Sequence, residues 1–168
     1  MKPFKPKKVK LFIGLMYKDK NILNKIIKLL ENKFGFIQDS IEYDFNYTNY
    51  YENEFGKDLK KRFIVFKNSI NPELLVNIKL FTNNIENKFS KNNKRLINID
   101  PGYLNKQKLI LASAKERYNR IYLKKGIYAD LTYFFNKNNC ILLRNTFPDF
   151  KNKQVQKFFI KIKNSCIG

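Results

Sequence analysis

The chain has 168 residues, of which 43% are hydrophobic and 15% aromatic, a composition that excludes disorder and supplies a packed interior. At this length one domain over residues 1–168 is expected, burying roughly 68–70% of the surface of the unfolded chain, with residues 1–8 a flexible basic lead. Thirty-four Lys and Arg stand against 14 Asp and Glu, a net charge of +20, and there is no histidine.

Val9 to Tyr17 is a short apolar run and reads as a buried strand, followed by a helix start at which Asp19 or Asn21 can cap. Ile22, Leu23, Ile26, Ile27, Leu29, Leu30 and Phe34 then recur at helical spacing, and Gly35 supplies the stop. Phe36 to Phe45 and Lys60 to Phe66 read as extended, separated by a tyrosine-rich polar loop ending at Gly56. Asn71-Pro72-Glu73 opens a second helix, whose buried stripe is Leu74, Leu75, Ile78, Phe81, Ile85 and Phe89. Its Lys79, Thr82, Asn83 and Glu86 share a polar face, expected to lie in solvent. Arg95 to Asp100 is a strand that Pro101-Gly102 is expected to stop, and Lys108 to Ala114 is ambiguous between strand and helix. Arg120 to Leu123, Ile127 to Phe135 and Ile141 to Leu143 read as a meander, and an amphipathic helix follows Pro148-Asp149. The expected fold is α+β: a ferredoxin-like βαββαβ core extended by a C-terminal β-meander and a terminal helix.

Several of these segments, taken as an ordered set, carry a resemblance. KLFIGLMY near the start, DFNYTNYYENEFG at 44–56, KRFIVF at 61–66, KLFTNNIE at 79–86, RLINIDPGYL at 95–104, KLILASAK at 108–115 and RIYLKKGIYADLTYFF at 120–135 together resemble the bacterial domain-of-unknown-function 4416 family. The likeness runs from about residue 5 to about residue 160. Some members have been labelled GTP-binding, yet this chain has no G-x-x-x-x-G-K-[ST] and so no P-loop nucleotide site. Asn119 and Asn145 stand where the family pattern often has His before R-I-Y-L and Trp before T-F-P-D, so an activity that needs that histidine is not expected here.

The charge is a poor guide to specificity. Arginine occurs only as Arg62, Arg95, Arg117, Arg120 and Arg144, so the excess is nearly all Lys and comes with abundant Asn and Ile. Those residues have the A/T-richest codons, and single G-to-A changes convert Asp to Asn and Glu to Lys. Drift toward A/T therefore accounts for much of the +20, although such a surface still attracts RNA and phosphates in a salt-dependent way. Arg, Asp, Glu and Gly that persist against the drift are the residues to weigh. Cys140 and Cys166 lie far apart with no C-x-x-C and no histidine, which supports neither a zinc site nor a thiol–imidazole nucleophile. No run of about 18 apolar residues and no signal-peptide core is present, so no transmembrane segment and a cytoplasmic location are expected.

Without histidine, acid–base chemistry falls to carboxylates, lysine or tyrosine. Asp44, Glu52, Asp100 and Asp130 are the candidate catalytic carboxylates, with Mg²⁺ as a possible cofactor. The segment 44–54 gathers three carboxylates and three tyrosines; a substrate loop and an aromatic loop packed on the sheet both explain it. Asp100 precedes Pro101-Gly102-Tyr103, where turn geometry alone also selects these residues. Arg62, Lys108, Lys115, Arg117 and Arg120 are candidate phosphate ligands, with Tyr51, Lys79, Asn83, Tyr103 and Tyr128 as further contacts for RNA or a nucleotide. Two readings follow: a binder of a phosphate-bearing ligand, and a carboxylate-dependent enzyme acting on a phosphorylated substrate. Asp44, Asp100, Asp130, Arg62 and Arg120 meeting in one concavity favours the enzyme; a basic face with exposed tyrosines and scattered carboxylates favours RNA.

Overall fold

In the computed structural model, which describes residues 1–166, strand β1 (Val9–Tyr17) is the centre of the molecule. Its side chains alternate, Leu11, Ile13, Leu15 and Tyr17 to one face and Phe12 and Met16 to the other, and all are buried because the sheet is covered on both sides. Helix α1 (Lys20–Phe34) follows, capped by Asp19, whose carboxylate accepts from the Asn21 N–H at 2.7 Å, and ended by Gly35 at φ +92°. Strand β2 (Ile37–Asp44), the short helix α2 (Glu52–Phe55) and strand β3 (Lys60–Ile70) come next. A 3-10 turn at Pro72–Leu74 leads into α3 (Leu75–Lys88), and a two-residue hairpin, β4 (Ser90–Lys91) and β5 (Lys94–Arg95), leads into β6 (Ile97–Leu104). The remainder is β7 (Lys108–Ser113), β8 (Arg120–Lys124), β9 (Ile127–Asn136), β10 (Asn139–Leu142) and α4 (Lys153–Asn164).

The fold is mixed α+β around an antiparallel sheet of order β10-β9-β7-β6-β1-β3-β2, with β8 also paired to β9. Helices α1 and α3 cover one face through Leu23, Ile26, Leu30, Ile78 and Ile85, packed on Leu11, Ile13, Ile64, Phe66 and Ile99. Helix α4 covers the other through Val155, Phe158, Phe159 and Ile162, packed on Phe12, Phe63, Leu109, Leu111 and Tyr133. Each stripe is the 3.6-residue period meeting the two-residue period of the strands. None of the described helices is long and apolar enough to cross a membrane.

Two expectations are corrected. Pro101-Gly102 does not stop its strand: β6 runs through to Leu104, paired with β1 along its whole length. The Ile99 N–H and C=O point away from β1, so the Pro101 nitrogen two residues on points the same way, toward an edge that no strand covers before Gly102. A missing N–H is harmless there. Gly102 is required by close approach, since a Cβ would meet the Ile110 carbonyl oxygen and the Phe12 ring. The second is the expected meander: the run left open between strand and helix is the strand β7, which pairs with β6 and takes one edge of β9, so that β8 and β10 share the other edge end to end instead of flanking β9.

Candidate functional site

Strand β6 pairs with β7 only from Gly102 onward, so its first half, Ile97–Pro101, has an open edge. Side chains of α3 close it. Glu86 accepts from the Ile99 N–H, and the Lys79 ammonium donates to the Ile99 carbonyl at 3.0 Å and lies 3.3 Å from Asp100. The polar stripe of α3 is therefore not a solvent face: Lys79, Thr82 and Glu86 are buried and Asn83 half-buried. The reason is the obligation to partner backbone groups wherever a strand lacks a neighbour.

From this edge a network of charges extends. Arg95 donates to Glu86 at 3.1 Å and Asn98 at 2.9 Å, and grips Glu54 of α2 through two bonds of 2.6 and 2.9 Å, with Phe55 under its guanidinium. Asn98 donates to Asp100 at 2.5 Å, and the Lys61 ammonium lies 3.7 Å from Asp100 and 3.5 Å from Asp149. Burial pushes the Asp100 carboxyl upward, but Lys79 and Lys61 outweigh it and hold the group below its ordinary value. Burial likewise works against the Lys61 charge, and Asp149 and Asp100 prevail, raising it. Burial wins at Glu86 and Asp149, both pushed up. Tyr51, packed on Phe45 and Phe55, overlooks the same cluster with its phenol raised by burial. Alternating on β3 with Phe63 and Val65, Lys61 lies in the inward phase of its strand, and that phase is the signal that could have found it.

The remaining candidates are dispersed. Arg120 donates to Asp130 at 2.8 Å, to Ser113 and to the Lys115 carbonyl, each at 2.7 Å, and its ring neighbour is Phe147. With side chains only 4% and 6% exposed, Arg120 and Asp130 fasten the β7–β8 loop and have no room for a ligand. Arg62 donates to Ser40 at 3.2 Å, Asp44 pairs with Lys60 at 3.0 Å, and Glu52 opens α2. Lys108 begins β7 at the far end of that strand, and Tyr103 packs with Leu75, Val76 and Ala112. Asp44, Asp100, Asp130, Arg62 and Arg120 do not meet in one concavity. Among the described residues, no three or more His, Cys, Asp or Glu side chains gather as metal ligands.

What is left unengaged lies at the outer edge. Strands β8 and β9 are joined by Lys125-Gly126, both at positive φ, the two-residue turn that matches strand twist. On and beside this hairpin Tyr118 is 85% exposed, Ile121 70% and Tyr122 58%. Tyr122 meets Tyr128 edge to face at 5.3 Å, and the Tyr128 phenol reaches Glu116 at 3.4 Å. Lys115 extends the strip, with its ammonium 3.4 Å from the phenol of Tyr50 of the 44–56 loop. Among the described residues Lys115, Arg117, Lys124 and Lys125 have no carboxylate within 4.0 Å.

Residues 7–165 match the domain of unknown function DUF4416. The chain belongs to that family. No curated protein and no solved structure matches it. The segments that carry the DUF4416 likeness fall on both regions just described: 44–56 and 95–104 build the charge network, and 120–135 is the hairpin with its long strand. Asn119 is half-buried directly before Arg120, and Asn145 is exposed beside Thr146, whose hydroxyl bonds the Thr132 carbonyl.

Proposed function

We propose that this DUF4416 protein binds single-stranded RNA along the β8–β9 hairpin and the adjoining Lys115–Tyr50 contact. The observation that carries the reading is the coincidence of exposed Tyr118, Tyr122 and Tyr50 with Lys115, Arg117, Lys124 and Lys125, cations with no acidic partner among the described residues. Unpaired bases offer π-faces to tyrosine rings while the phosphates between them meet ammonium and guanidinium groups; duplex bases, already stacked, cannot do this.

Fluorescence anisotropy with a labelled single-stranded RNA of mixed sequence tests it. Tyr118→Ala and Tyr122→Ala leave the net charge untouched, so a loss of affinity separates stacking from general attraction to a basic surface. Each substitution removes about 1–3 kcal/mol, roughly 5- to 150-fold in affinity, and binding weakens as salt rises. Equal affinity in the Tyr118→Ala/Tyr122→Ala variant overturns the proposal.

The carboxylate-dependent enzyme draws less support, because Asp100, the most accessible acid of the network, already holds Asn98, Lys79 and Lys61. For the fold, we read residues 9–104 as a ferredoxin-like core. The order β6-β1-β3-β2, with α1 and α3 on one face, supports that reading.

A further inference from the structure

A second basic feature lies at the opposite end of the sheet from the charge network, where β1 begins and β3 and β6 end. Here a concavity of about 440 Å³ opens between the sheet and the end of α4. Its cationic wall is Lys7, Lys8, Lys10 and Lys67, its polar groups include Ser69 and Asn105, and its floor is apolar, formed by Val9, Leu104 and Cys166. No carboxylate of the described residues lines it or pairs with these lysines.

We infer that this concavity is a binding site for a small polyphosphate anion, distinct from the RNA strip. Four ammonium groups around one hollow repel each other, and an anion carrying several charges relieves that repulsion while each lysine acts as a point-charge phosphate ligand. Lys10 is held in position: its ammonium donates to Gln38 at 2.9 Å and to the Lys67 carbonyl at 2.7 Å, which leaves one N–H of its three for a ligand. The end of α4 is the one element that should repel an anion, since a helix C-terminus is partially negative. Two of its last four carbonyls are already engaged, Ile162 accepting from the Ser165 hydroxyl at 2.7 Å and Lys163 from the Cys166 N–H at 3.1 Å, which softens that end. The volume falls within the span of small-molecule sites and is too small to follow a nucleic-acid strand.

Isothermal titration of the full chain with tripolyphosphate tests the site. The expected result is saturable 1:1 binding, at least about tenfold weaker in Lys8→Ser/Lys67→Ser and unchanged in Lys20→Ser/Lys25→Ser, which removes the same charge from the exposed face of α1. Tripolyphosphate affinity must also survive Tyr118→Ala/Tyr122→Ala, so the site can stand if the RNA reading fails. Equal losses in both lysine variants, absence of saturation, or loss of binding in the tyrosine variant overturns the inference, since each outcome reassigns the anion to diffuse attraction or to the RNA strip.

Discussion

The open edge of β6 and the outer hairpin of β8 present the same residue types, Lys, Arg, Tyr and a few acids, and use them in opposite ways. At β6 the charges turn inward and saturate one another: Lys79 and Glu86 replace a missing strand, Arg95 ties α2 to α3, and Lys61 bridges two carboxylates. At β8 only the root is treated so, through Arg120 and Asp130, while Tyr118, Tyr122, Lys124 and Lys125 stand in solvent. A cation identifies a ligand site only when nothing in its own fold has claimed it. Basic residues of the first kind are structural whatever the net charge.

The sharpest way to break the comparison is Lys61→Met. Leaving buried Asp149 without a cation and half-buried Asp100 with Lys79 alone should destabilise by about 3–5 kcal/mol in urea unfolding, against within about 0.5 kcal/mol for Lys124→Met. Comparable losses in the two would erase the distinction. Next comes Arg120→Lys, which keeps the charge but loses the fork that reaches Asp130, Ser113 and the Lys115 carbonyl together; about 1.5–3 kcal/mol is expected, read as a shift in urea midpoint. Asp100→Asn gives a smaller effect with a diagnostic pH dependence. Its carboxyl is held below the ordinary 3.8, so its ionised form stabilises the fold above that value, and the contribution is lost as pH falls through the depressed one. The penalty of Asp100→Asn is therefore level at neutral pH and vanishes in acid, measured by thermal melts across pH. Glu86 and Asp149, pushed up, contribute with the opposite slope, losing stability as pH rises through their folded values. The smallest stability change, under about 0.5 kcal/mol, belongs to Tyr118→Ala, whose consequence should appear in RNA binding instead.

Much of this architecture is legible in the residues. The 3.6-residue stripe of α1, its Asp19 cap and Gly35 stop, and the hairpins β8–β9 and β9–β10 follow from local physics and the structure has them, whereas the hairpins do not join into a meander, because β7 takes one edge of β9. Pro101-Gly102 is misread because turn formers carry the same letters whether they bend a chain or fit a strand with an uncovered edge and a crowded face. That edge exists only once β7 diverges, a long-range fact. The stripe Lys79–Glu86 is misread for the same reason: spacing places the four side chains together, and only the position of α3 beside Ile99 says that they are inside. Lys61 and Asp149 escape a reading that discounts lysine as codon drift, whereas the phase of β3 points Lys61 into the core with Phe63. The tyrosines of the hairpin are visible as a cluster, but their exposure depends on β8 having no outer neighbour.

The divergence of β6 from β7 also divides the molecule's cooperativity. Only three ladder pairs, Gly102–Leu111, Tyr103–Ile110 and Leu104–Leu109, join β7 to β6, against eight between β6 and β1. Helix α4 straps across that narrow seam, with Phe159 touching Phe63 on the inner side and Tyr133 on the outer. With α4 frayed, the Leu75 and Val76 packing of α3 on Ala112 and Ile127 and three ladder pairs are what hold β7–β10, so these strands should open as a unit at less than the global unfolding free energy, and amide protons of β9 should exchange with solvent sooner than those of β1.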